Sequence, residues 1–164
     1  MLSLVSLLCI SSLSAHAIEP ERSRDGDWVV VSAHLPYSTA SIKGLLRQDA
    51  KTMSLGKDIR SVKTKPLPNG CTHLEVVNEG LTRTMSYTAE RCLVENGWHS
   101  KMLESPDFED HQIIWTTVPE GEGSRVTIRV KVSLRMPVPR FIVTPFVGAA
   151  LEETLLKMDS LLSG

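Results

Sequence analysis

The segment Ser124–Met136 alternates without interruption. Val126, Ile128, Val130, Val132, Leu134 and Met136 fall on one side, and Arg125, Thr127, Arg129, Lys131, Ser133 and Arg135 on the other. A period of two predicts a strand with one dry face and one wet, basic face. Pro137 and Pro139 then end the ladder, because proline donates no backbone hydrogen bond. Thr144-Pro145 predicts the start of a helix, as N-cap and first helical residue. Beyond it Val147, Leu151, Leu155, Met158 and Leu162 recur at helical spacing, with Ala150, Thr154 and Leu161 beside them. Glu152, Glu153, Lys157 and Asp159 take the other side. A long helix laid across a sheet either encloses an apolar space or seals an ordinary core.

Upstream, the β-rich run Trp28–Leu35 predicts a first strand, stopped by Pro36-Tyr37-Ser38. Ser38 or Thr39 can cap a short helix carrying Ile42, Leu45 and Leu46. Asp49 can begin a second one, with Ala50 and Met53, that Gly56 ends. Five further strands are expected at Asp58–Lys65, Cys71–Asn78, Thr82–Leu93, Trp98–Glu104 and His111–Val118, separated by turn residues such as Asn69-Gly70 and Asn96-Gly97. The order strand, two helices, six strands, long helix predicts an α+β fold with a seven-stranded antiparallel sheet.

The 164 residues suit one domain, expected over 27–164 behind a flexible lead at 18–26. Met1–Ser14 is apolar or small almost throughout and too short to span a bilayer. It runs into Ala15-His16-Ala17, which reads as the cleavage site of a secretory signal peptide covering 1–17, although no Lys or Arg precedes the apolar run. Cys9 lacks the small residue that precedes a lipoprotein cysteine. The expected location is therefore secreted or periplasmic. Eighteen Lys and Arg balance nineteen Asp and Glu, which argues against a nucleic-acid binder driven by overall basicity.

Two cysteines follow the apolar leader. Setting Cys71 opposite Cys92 in a hairpin also sets His73 opposite Glu90 and Glu75 opposite Thr88. On the other face it joins Leu74 to Ala89, Val76 to Tyr87 and Asn78 to Met85. One register thus yields a cysteine pair, a His–Glu pair and a mostly apolar inner face. That predicts a disulfide between Cys71 and Cys92, in keeping with an oxidising compartment.

This order of elements, with Tyr87-Thr88-Ala89-Glu90-Arg91-Cys92, Asp107-Phe108-Glu109 ahead of Trp115, Gly121-Glu122-Gly123-Ser124-Arg125-Val126-Thr127 and Pro137-Val138-Pro139-Arg140-Phe141, resembles the START-like (SRPBCC) superfamily. The likeness runs from about Trp28 to Leu162, and is to the polyketide cyclase/dehydrase and lipid-transport branch that includes coenzyme Q-binding proteins. It implies a helix-grip fold, in which a curved antiparallel sheet wraps the C-terminal helix and leaves a cavity. It also implies an apolar ligand: a lipid, polyprenyl compound, polyketide or similar molecule. It carries no catalytic signature, and the paired cysteines and leader depart from intracellular members.

The inner faces supply the expected cavity lining: Leu74, Val76, Met85, Tyr87, Ala89, Val126, Ile128, Val130 and Val132, with Val147, Leu151, Leu155 and Met158 from the helix. Ile113 and Trp115 are candidates from a strand whose register stays open. Tyr87 reads as a core tyrosine with a backbone partner for its hydroxyl, or as a group that orients a carbonyl. Arg91 reads as a rim charge. His34, His73, His99 and His111 are scattered singly, so no metal site is expected. Neither a nucleophile elbow nor a phosphate-cradling loop occurs, and no cofactor is expected. The expected partner is a hydrophobic small molecule or lipid, with which a transient membrane contact is compatible. The oligomeric state does not follow from the sequence. An enzyme acting on a hydrophobic substrate (cyclase, dehydratase or hydrolase) and a protein-binding module with a filled core remain alternatives.

Overall fold

A computed structural model describes residues 17–48, 51–52, 54–80 and 82–164. Strands β1 (Glu21–Asp25) and β2 (Trp28–Leu35) precede helix α1 (Thr39–Leu46). Strands β3 (Ile59–Pro66), β4 (Thr72–Glu79), β5 (Thr84–Val94), β6 (Gly97–Glu104), β7 (Phe108–Glu120) and β8 (Gly123–Leu134) follow, and helix α2 (Arg140–Ser163) ends the chain. One antiparallel sheet holds all eight strands in the order β1-β2-β8-β7-β6-β5-β4-β3.

The expected α+β architecture is present, with one more strand than the sequence pattern predicted. The flexible lead expected at 18–26 is instead largely β1, which pairs with β2 from Glu21↔Ser32 to Asp25↔Trp28. All five β1 residues are exposed. Period-two burial was therefore never available as a signal. Arg22 grips Glu152 of α2 through Nε and Nη2 at 3.0 and 2.8 Å. The approach is close: a Cβ on Gly148 would lie 2.5 Å from the Arg22 Nε. A small residue on the helix thus lets β1 reach it.

Helix α1 begins as expected, with the Ser38 hydroxyl accepting from the Ser41 amide at 3.1 Å. Lys51 and Thr52 are helical, and the Thr52 hydroxyl donates to Leu46 O at 3.0 Å. The residues named for the expected second short helix, Asp49, Ala50 and Met53, lie outside the described residues, as do Met1–His16.

Helix α2 corrects the expected start at Thr144-Pro145. Pro139 is its N-cap, and Ile142 and Val143 donate to the Pro139 carbonyl at 2.9 and 3.3 Å. Pro145 lies inside the helix, near enough to its start that the missing hydrogen bond falls on the carbonyl of Phe141, a residue 77% exposed. Water can take the place of the lost donor. Strand β7 starts three residues before the expected His111. Asp107 and Phe108 donate their amides to the Ser105 hydroxyl at 3.0 Å, which shortens the loop.

The basic row on β8 meets acidic neighbours on the outer face. Arg125 pairs with Glu120 at 2.9 Å, Arg129 with Asp25 at 2.5 Å and Lys131 with Asp110 at 3.0 Å. On the inner face two apolar clusters form. One joins Val31, Leu35, Ile42, Leu46, Val126 and Ile128 to Leu155 and Met158 of α2. The other joins Leu74, Val76, Met85, Tyr87, Ala89 and Phe108. Val132 borders both.

The hairpin β4–β5 takes the expected register: His73↔Glu90, Leu74↔Ala89, Val76↔Tyr87 and Asn78↔Met85. Cys71 and Cys92, 21 residues apart, form a disulfide with a Cα–Cα distance of 4.4 Å. A loop of that length raises stability by about 3 kcal/mol through the entropy it removes from the unfolded chain. Cys71→Ser/Cys92→Ser should therefore lower the free energy of urea unfolding by about 3 kcal/mol. An unchanged urea midpoint would show that the bond contributes nothing.

Candidate ligand cavity

Between the inner face of the sheet and the first half of α2 lies a cavity of about 190 Å³. A single water needs roughly 10–15 Å³ by the same kind of measure, so the space exceeds any lone structural water. β4 contributes Leu74, Val76 and Asn78; β5, Met85 and Tyr87; β6, Trp98 and Ser100. β7 contributes Phe108, His111, Ile113 and Trp115, and β8 Ile128, Val130, Val132 and Leu134. Helix α2 closes the space with Val143, Phe146, Val147, Ala150, Leu151 and Thr154. Alternation along each strand places these side chains on one face, and the 3.6-residue period of α2 turns its apolar stripe toward them.

The edge of the cavity runs along Leu55–Ile59. Two contacts tie this segment to α2: an ion pair between Lys57 and Glu153, and a hydrogen bond donated by Lys157 Nζ to the Ser54 carbonyl. Both lysines are exposed. Asp58 lies beside them, and partial burial raises its carboxyl above the usual range.

Of the expected lining, Leu74, Val76, Met85, Tyr87, Ile128, Val130, Val132, Val147 and Leu151 stand on the cavity wall. Ala89, Val126, Leu155 and Met158 do not: each is fully or almost fully buried in an apolar cluster. Leu155 and Met158 lie on the half of α2 that packs directly on the sheet, and Val126 lies beneath them in the same cluster. Ile113 and Trp115, whose register was open, face inward.

Several wall residues were not anticipated. Trp98 stacks on Trp115 with ring centres 5.5 Å apart. Phe108 meets Tyr87 edge-on at 5.6 Å, and the His111 ring lies 4.5 Å from Tyr87 and 5.2 Å from Phe108. Inward parity on β6 and β7 could have found Trp98 and His111 once the strand pairing was known. Residues Leu55–Ile59 had no such signal, because they belong to a connection. Arg91, read as a rim charge, is 4% exposed, with its guanidinium carbon 5.4 Å from the Trp98 ring centre. It follows Tyr87 and Ala89 at period two, which turns it inward.

The polar groups that the strands contribute to the wall are neutral, whereas Lys57 and Asp58 stand at its edge. Burial raises the Tyr87 hydroxyl above its ordinary pKa. It lowers His111 to about 4, the opposing pull of the Asp110 charge being the smaller effect. Among the described residues, nothing hydrogen-bonds the Tyr87 hydroxyl, the Ser100 hydroxyl or the His111 ring. The backbone partner expected for Tyr87 is absent among the described residues. Asn78 Oδ1 and Trp98 Nε1 are likewise buried without a partner among them. Cys71, Glu90 and Cys92 form a metal-like grouping, but its thiols are joined in the disulfide. Among the described residues no helix is long and apolar enough to cross a membrane.

No protein-family model matches the sequence, and no curated protein matches it. Solved structures do. A START superfamily protein from Mycobacterium smegmatis is 13% identical, with a TM-score of 0.72 over 83% of this chain and 97% of that one. A STAR-related lipid transfer protein from Xanthomonas axonopodis is 14% identical, with a TM-score of 0.61 over 88% and 99% of the two chains. The Zhui aromatase/cyclase from Streptomyces sp. R1128 is 11% identical, with a TM-score of 0.66 over 83% and 91%. At such identities the likeness speaks for architecture alone. Sheet, cavity and C-terminal helix together give this chain the START-like helix-grip fold.

Proposed function

We propose that the protein binds, and carries, an apolar ligand such as a lipid or polyprenyl compound in the cavity beneath α2. The observation that carries this reading is the cavity itself, walled by aliphatic and aromatic side chains and too large for a single water. Each methylene that enters such a space contributes about 0.8 kcal/mol. The lipid-transfer neighbour adds support from fold. The cavity also counts against a binding module with a filled core.

Export belongs to the same proposal. The apolar leader, the Ala15-His16-Ala17 site and the Cys71–Cys92 bond all support it. Ile18 is buried in the core, so a cut after Ala17 leaves the new N-terminus anchored. Protein recovered from the cell envelope should begin at Ile18 by N-terminal sequencing. Retention of Met1 would remove the export reading.

Native mass spectrometry of the detergent-free protein should reveal an added mass that dissociates as a lipid. A bare mass, together with no uptake of added lipid, would overturn the binding reading. Leu151→Trp should fill the cavity and cut lipid uptake at least tenfold, with little change in thermal midpoint.

Acid should work against the empty fold. The unfolded chain protonates His111 near pH 6.5, whereas the folded chain resists until about 4. Stability is therefore lost as pH falls through that window, by about 2 kcal/mol between pH 7 and 5. His111→Gln should flatten the decline in urea-unfolding experiments. An unchanged pH profile in that variant would assign the loss to other groups.

A further inference from the structure

Three of the wall's neutral polar groups stand on neighbouring strands. Tyr87, Ser100 and His111 stand on the adjacent strands β5, β6 and β7. The Tyr87 and His111 rings are 4.5 Å apart. Ser100 pairs with Ile113, which puts it one diagonal step from His111 on the same face. All three line the cavity, and none has a hydrogen-bond partner among the described residues. Around them the wall is apolar: Leu74, Val76, Phe108, Ile113, Val130 and Val132.

Polar groups that face an apolar cavity with no partner among the described residues leave hydrogen bonds for a ligand to complete. The cations nearby are engaged elsewhere. Lys57 pairs with Glu153 at the edge, and Arg91 stacks on Trp98 outside the cavity lining. A carboxylate or phosphate resting on these three groups would lose its water with no opposite charge beside it. A hydroxyl or carbonyl would lose little and gain donors and acceptors.

Building on the apolar-ligand reading, we propose that Tyr87, Ser100 and His111 form a neutral polar patch that selects uncharged, hydroxyl- or carbonyl-bearing lipids and rejects acidic ones. The ligand's oxygen rests on the patch, and its chain extends along the aliphatic wall beneath α2.

Four probes of equal chain length separate the terms: 1-octanol, 2-octanone, octanoate and n-octane, each titrated at pH 7.5 and followed by tryptophan emission. Trp98 and Trp115 sit on the wall and report occupancy. Octanol and octanone should bind, octane more weakly, and octanoate at least tenfold more weakly than octanol. Tyr87→Phe and Ser100→Ala should each weaken octanol three- to tenfold and leave octane unchanged. The patch is refuted by octanoate binding as well as octanol, by octane matching octanol, or by variants that leave octanol unaffected. In each of those cases the apolar-ligand reading stands. If none of the four probes binds, both readings fall together.

Discussion

Everything in this molecule follows from how α2 lies on the sheet. A helix of 24 residues is a rod of about 36 Å, and it cannot follow a sheet that bends away from it. Its second half makes close contact, with Leu155 and Met158 fully buried against β2 and β8 side chains. Under its first half the contact opens. The register irregularities at Ile59/Ser61, Thr88/Ala89 and Phe108/Asp110 put an extra residue in β3, β6 and β7, toward the end of the sheet that holds Asn78 and Leu134. Bulges bend strands and increase their twist. The cavity lies at that end, under the half of the helix that does not pack directly on the sheet.

Much of this was legible beforehand, and the reason is physical. Burial on one face writes a period of two into β2, β4, β5 and β8, and a cysteine pair fixed the β4–β5 register to the residue. Where burial leaves no trace, the pattern is silent. β1 is exposed throughout, so nothing distinguished it from a loop. Pro145 carried a misleading signal, because a proline that usually opens a helix is also tolerated soon after its start when the orphaned carbonyl faces water.

The candidate site divides along the same line. Periodicity, of two on the strands and 3.6 on the helix, tells which side chains point inward, and it did so for Tyr87, Val130 and Leu151 alike. It does not tell how far away the opposing element stands. That is why Ala89, Val126, Leu155 and Met158, identical in pattern to the wall residues, ended in packed clusters. Arg91 shows the converse. Its charge suggested the rim, but its parity on β5 placed it inside against Trp98, where burial lowers the pKa of its guanidinium.

The helix lies closest to β1 and β2, through Arg22–Glu152 among others, while β3, β4 and β5 form the far side of the sheet. There the hairpin that presents Leu74, Val76, Met85 and Tyr87 is joined at its open end by Cys71–Cys92. The covalent link thus stiffens the wall farthest from the helix's contacts with β1 and β2. Redox conditions would act on the rate at which that wall yields, while leaving the side chains that line the cavity unaltered.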